Sequence, residues 1–158
     1  MSYQTIRVER DAAAAIITFN RPERRNAVST QAMSEIIAAC REAEADENVR
    51  AVILTGSDAY FSAGADLNEA RAIKGAAEGV AYFNKWHALN EALETLRKPV
   101  IAAIEGFCMT GGLELALACD LRVAAEGSSF AITSSKIGTV AGAGGTQRLP
   151  RIVGPARA

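Results

Sequence analysis

Apolar positions along this chain follow two periods in turn. From Thr5 to Glu9 and from Ala13 to Asn20 they fall in short runs, with Ile16, Ile17 and Thr18 adding β-branched residues, and Arg10-Asp11 between the runs reads as the turn of an opening hairpin. Asn20-Arg21-Pro22-Glu23-Arg24-Arg25-Asn26 is a polar loop. Ser29 or Thr30 then caps a helix whose stripe is Met33, Ile36, Ile37 and Cys40, ending near Ala45. Arg50 to Thr55 is a buried strand, Asp58 to Asp66 a loop, and Leu67 to Ile73 a short helix. Ala81 to Leu96 places Phe83, Trp86, Leu89, Leu93 and Leu96 on one stripe of a longer helix that Pro99 stops. Val100 to Ile104 is strand, Gly111-Gly112 open a helix through Ala118, and Leu121–Ala124 and Phe130–Ile132 are short strands before an end rich in Gly and Arg. Strands and helices alternate with no repeat or linker, so the expected architecture is one α/β domain over residues 1–158.

Composition narrows the function classes. The 158 residues are 49% hydrophobic and 22% charged with a net charge of -1, a globular composition with no electrostatic pull toward nucleic acid or an anionic membrane. An anionic ligand would have to be held by local basic groups and backbone N–H donors. Cys40, Cys108 and Cys119 form no CxxC pair and, with apolar neighbours around the last two, read as buried reduced thiols. The start lacks a secretory pattern, and no apolar run approaches the roughly 18 residues of a membrane helix. A cytoplasmic protein is expected.

Three stretches carry candidate chemistry. In Phe61-Ser62-Ala63-Gly64-Ala65-Asp66, small residues let the backbone approach a ligand, but taken alone the stretch reads more simply as a tight strand-to-helix connection with Asp66 as N-cap. In Gly106 to Asp120, paired glycines open an apolar helix whose free N–H groups and dipole suit a developing negative charge. Glu114 lies in its first turn, either as a surface residue offsetting the dipole or, since Leu113, Leu115, Ala116 and Leu117 make the helix apolar all round, as a buried carboxylate with a catalytic purpose. The third stretch, Gly138 to Arg151, is glycine-rich but opens no βαβ unit and is no dinucleotide fingerprint. There is no GxSxG elbow and no metal-ligand cluster, and the single histidine, His87, lies mid-helix beside Trp86 in a core or rim position.

Together YFSAGADL, GGLELALACD and GAGGTQRL, with NRPERRNAV near the start, resemble the crotonase superfamily of enoyl-CoA hydratases and isomerases, from about residue 13 to the end. The resemblance implies a spiral of β-β-α turns and acyl-CoA thioester substrates, with no cofactor beyond the CoA moiety. It puts the two backbone donors of an oxyanion hole on Ala65 and Gly111. Glu114 matches the first catalytic glutamate, and Arg24, Arg25, Ala63, Ala65, Asp66 and Leu67 match the CoA-binding surface, although for the arginines a solvated loop is the competing reading. It also implies a homotrimer or hexamer at full length.

Two departures qualify this. Counting back from Gly138, the second glutamate of the hydratases falls on Ser134, and a serine hydroxyl cannot act as a general acid near neutral pH. The single-glutamate isomerases use that same position, so isomerisation is no better supported. Related proteins continue through a C-terminal helical segment that this chain lacks, so exposed apolar surface, self-association or weak acyl-CoA binding is expected. The leading reading is a hydratase/isomerase-type lyase. Decarboxylation, thioester hydrolysis or a non-catalytic acyl-CoA-binding homologue are the alternatives.

Overall fold

The computed structural model describes residues 3–158. Strands β1 (Ile6–Asp11) and β2 (Ala14–Phe19) form the expected hairpin, but its turn falls at Ala12, in the left-handed region at φ 48°, and not at Arg10-Asp11. Arg10 and Asp11 pair with Ala15 and Ala14 on an edge strand that is exposed after Ile6, where polar side chains belong as naturally as in a turn. Helix α1 (Thr30–Ala45) is capped by Ser29, whose hydroxyl accepts from the Ala32 amide at 3.2 Å.

The remaining elements are β3 (Ala51–Thr55), β4 (Tyr60–Ser62), α2 (Leu67–Ala72), α3 (Ala76–Glu94), β5 (Val100–Ile104), β6 (Phe107–Met109), α4 (Gly111–Ala118), β7 (Leu121–Ala124), β8 (Ser129–Ala131) and α5 (Gly145–Val153). Short 3-10 turns span Pro22–Arg24 and Ser134–Ile137. Helix α3 starts five residues before the expected Ala81. Its first turns are mostly solvent-exposed, so no apolar stripe marks them, and the Lys74 amide is satisfied by the Glu78 carboxylate at 2.8 Å. Its buried residues are Tyr82, Trp86, Leu89, Asn90 and Leu93; Phe83, expected on that stripe, is half-exposed. Strands β4 and β6 are three residues each, too short for a period to show.

Strand order explains the layout. One sheet runs β1-β2-β3-β5-β7 and the other β4-β6-β8. Each successive strand pair, β3 with β4, β5 with β6, β7 with β8, sends its first member to the large sheet and its second to the small one before a helical segment, which is the expected spiral of β-β-α turns. In the large sheet β2, β3 and β5 bury every second residue: Ala15, Ile17 and Phe19, then Val52 and Leu54, then Val100, Ala102 and Ile104. Helices α1 and α3, packed on each other, add Met33, Ile36, Trp86 and Leu89 to the same core. Leu54 sits at its centre with no exposure, so Leu54→Ala should lower stability by about 2–5 kcal/mol, read as a reduced urea midpoint at unchanged m-value.

The small sheet is wholly parallel, so β4, β6 and β8 end on the same side. Residues 63–66, 110–111 and 132–134 therefore emerge next to one another, and the candidate chemistry gathers there. All three cysteines are buried and unbridged, with burial raising each thiol to about 12. No described helix is long and apolar enough to cross a membrane. Leu121 and Val123 on the edge strand β7 and Val140 in the loop before α5 stand out as exposed apolar residues.

Candidate active site

The loop from Arg21 to Asn26 is built around Asn26, which is buried with a left-handed φ of 55°, a conformation asparagine tolerates well. Its side-chain oxygen accepts from the Arg21 amide at 3.1 Å, its Nδ2 donates to the Tyr60 carbonyl at 2.8 Å, and its own carbonyl accepts from the buried Ser62 hydroxyl at 2.8 Å. These bonds tie the loop to β4. The Ala63 amide then donates to the Arg25 carbonyl and the Val28 amide to the Gly64 carbonyl, fixing residues 63–66 against it.

Gly64 has φ 99°, and a Cβ there would sit 3.0 Å from the Gly111 nitrogen and 3.0 Å from the Met109 carbonyl oxygen. Only a residue without a side chain lets the two backbones lie this close. A Cβ on Gly111 would in turn come within 3.2 Å of the Ala65 nitrogen. The amides of Ala65 and Gly111, from loops 46 residues apart in sequence (111 minus 65), are thus neighbours. Among the described residues neither donates a hydrogen bond. Gly111 is the first residue of α4, where the N–H has no partner within the helix.

Ala65 and Gly111 line one cleft of about 200 Å³ with Ala63, Leu67, Glu114 and Ser134. Helix α4 is buried on every side, as its sequence predicts, and Glu114 is 3% exposed. Its Oε1 accepts from the Gly145 amide at 2.8 Å. Burial pushes the Glu114 carboxyl above the usual glutamate range, against the opposing pull of the Gly145 and Ala143 amides and the Arg148 charge. Ser134, also buried, faces the same cleft from the 3-10 turn after β8. Trp86 and Phe83 of α3 line the apolar wall.

Thr110, just before the Gly111 donor, has φ 46° and ψ -113°, a conformation that costs a β-branched residue roughly 1–3 kcal/mol. Its amide donates to the Ala131 carbonyl at 2.7 Å and its hydroxyl lies 2.9 Å from that of Thr133. These bonds hold the turn in place, and nothing in the apolar pattern marks them in advance.

Arg24, Arg25 and Asp66 lie outside the cleft lining. The two arginines are exposed on the loop beside it, with the Arg25 guanidinium 5.9 Å from the Tyr60 ring centre. Asp66 caps α2 through the Asn68 amide at 3.0 Å, as the simpler sequence reading has it, and also pairs with Arg21 at 2.9 Å. Burial works to raise the Asp66 carboxyl, but the Arg21 and Asn68 hydrogen bonds outweigh it and hold it below the usual aspartate range. Arg21 is thus a partner the sequence did not single out. Its Nη1 also reaches the Ala27 carbonyl at 2.6 Å, so it joins the polar loop to the start of α2. His87 sits on the exposed side of α3, with Nε2 3.3 Å from the Gly142 carbonyl oxygen, a rim position and not a core one. No cluster of potential metal ligands exists among the described residues.

A family model described as enoyl-CoA hydratase/isomerase matches residues 9–158. A Mycobacterium tuberculosis protein named "Probable enoyl-CoA hydratase" is 42% identical over the whole chain, which covers 60% of that protein. The short-chain-enoyl-CoA hydratase of Clostridium acetobutylicum is 38% identical, with 98% of this chain and 59% of that protein covered. The crystal structure of an enoyl-CoA hydratase from Bacillus anthracis superposes with a TM-score of 0.90 at 39% identity, covering 98% of this chain and 60% of that one. The chain therefore spans about 60% of the length of the curated relatives it matches.

Proposed function

The chain belongs to the enoyl-CoA hydratase/isomerase family, and from that premise we propose that it acts on an acyl-CoA thioester whose carbonyl oxygen is received by the Ala65 and Gly111 amides. The observation that carries this reading is the pair of adjacent, unpartnered N–H groups on Ala65 and Gly111, two residues that line the cleft holding Glu114. Such a pair suits the negative charge that collects on a thioester oxygen when an enolate forms, because fixed donors need no reorganisation.

Glu114 is the acid/base group of this proposal. In hydration, the oxygen of water bonds to Cβ of the enoyl group as Glu114 takes the water's proton. The double-bond electrons move to Cα and onto the carbonyl oxygen, where the two amides hold them. Returning the proton from Glu114 to Cα then completes addition of one water with the carboxylate restored. A carboxyl whose hold on its proton is strengthened by burial suits both halves of this exchange. Arg24 and Arg25, exposed beside the cleft, supply positive charge for the CoA phosphates, and Ala63 and Leu67 line that side, with Asp66 behind them capping α2 and holding Arg21.

Ser134 favours a second reading. With a hydroxyl at the position we assign to the second carboxylate, a reaction that needs only the oxyanion hole and Glu114, such as decarboxylation or thioester hydrolysis, also fits. Mixing the protein with crotonyl-CoA separates the two. Loss of the enoyl absorbance by the wild type and not by Glu114→Gln supports hydration. Thioester binding without loss favours the second reading or a binding protein, and absence of any thioester binding overturns the proposal.

A further inference from the structure

Three residues of α3 reach across to the loop before α5 and to α5 itself. The His87 ring lies 3.3 Å from the Gly142 carbonyl oxygen, the Asn90 Nδ2 donates to the Ala143 carbonyl at 2.7 Å, and the Glu94 carboxylate accepts from Arg148 Nε at 2.7 Å. Positions 87, 90 and 94 share one face of the helix. Arg148 closes the set by donating from Nη1 to the same Ala143 carbonyl at 2.9 Å. Two consecutive peptide carbonyls are therefore held from the α3 side. On the other side of the same loop, the Gly145 amide donates to Glu114.

Peptide geometry links the two sides. The peptide bonds are trans and planar, so a carbonyl and the following N–H point in opposite directions. Drawing the Gly142 oxygen toward His87 turns the Ala143 N–H away from α3 and toward Glu114. Asn90 is the telling member. It is 2% exposed among Trp86, Leu89 and Leu93, and its side-chain oxygen has no partner. A helix face that only needed to pack would not carry a polar group with an unmet acceptor, so the donor half of Asn90 is the part with a use.

We infer that Asn90 and His87 are positioning residues for Glu114: by gripping the Gly142 and Ala143 carbonyls they fix the loop from which the Gly145 amide reaches its carboxylate. Glu114's role comes from the proposed function; the grip itself does not depend on any reaction. The Ala143 and Gly145 amides both favour the ionised form of Glu114. The one other charge acting on it is Arg148 of α5, which Glu94 in turn balances.

The test is a pH titration of Glu114 in the unliganded protein, followed by the ¹³C signal of its carboxyl and the ¹H–¹⁵N signals of Ala143 and Gly145, with Glu114→Gln assigning the carboxyl. Asn90→Leu keeps the volume and removes both the donor and the unmet acceptor. It should raise the Glu114 midpoint by about one pH unit, a tenfold change in proton affinity, and move the Gly145 amide proton upfield. Its melting temperature should stay level or rise, which a merely structural Asn90 would not allow. His87→Phe, on the exposed side of α3, should shift the midpoint in the same direction, and His87→Gln, which keeps a donor, should not. Midpoints and amide shifts equal to wild type in Asn90→Leu and His87→Phe overturn the inference. If Asn90→Leu does not fold, the His87 pair decides alone. Because no thioester is present, a shifted midpoint in a protein that binds no thioester upholds the positioning role and leaves only the proposed function refuted.

Discussion

Glu114→Gln is expected to slow turnover of an enoyl-CoA thioester by roughly 100- to 10,000-fold, the range that positioned acid/base groups supply, while leaving the protein at least as stable at neutral pH. The stability half follows from the direction of the Glu114 shift. Burial raises its carboxyl above the unfolded value, so the folded chain binds that proton more tightly. The resulting stabilisation is complete below about pH 4.3, the ordinary glutamate value, and is lost as pH climbs through the higher folded value. Glutamine retains an oxygen for the Gly145 amide but has no charge to bury. The difference in melting temperature between Glu114→Gln and wild type should therefore grow in the variant's favour from acid to neutral pH. Melting curves across that range, with kcat on an enoyl-CoA, check both halves; unchanged turnover with a lower melting temperature at pH 7 would count against the assignment.

Gly111→Ala should lower kcat/KM by roughly 100- to 1000-fold, the usual effect of losing one oxyanion donor. The added methyl would stand 3.2 Å from the Ala65 nitrogen and 2.7 Å from the Trp86 ring, in the space between the two donors. Overpacking of this kind also costs about 1–3 kcal/mol, so a drop in activity alone proves little. Gly112→Ala is the control. Its methyl would meet the Ser62 side chain and carbonyl at 2.7 Å, away from the Ala65 amide, at a similar cost in stability. In a bound thioester the C=O stretch should move toward its free frequency in Gly111→Ala and hold its wild-type position in Gly112→Ala. Equal spectra and equal activity losses in the two variants would sink the oxyanion hole.

Much of this site was legible because its residues break local rules. A glutamate within an otherwise apolar helix predicted burial, and α4 buries Glu114. Gly64 and Gly111 stood out among small residues, and each proves to sit where a side chain would strike neighbouring backbone or ring. Other features left no such mark. Helix α5 was hidden by Pro150 and the glycines at its start, although Pro150 lies well inside it. The short strands β4 and β6 owe their existence to pairing with each other and with β8, a long-range cause that no local pattern carries. Asn26, Arg21 and Asn90 matter for which carbonyl or carboxylate they reach, and those partners lie 34, 45 and 53 residues away. Sequence periodicity reports which face of an element is buried. It does not report what a buried polar group will meet.

The alternation of strands between the two sheets has a kinetic consequence. The walls of the cleft come from three successive turns of the spiral, and adjacent turns join through parallel strands, whose pairing must close long loops before it gains any contacts. Helices can form early in such a chain, but a ligand pocket shared by three turns cannot exist until the last has docked. During refolding, helical signal should thus return well before the capacity to capture a thioester, and that lag measures how late the docking comes.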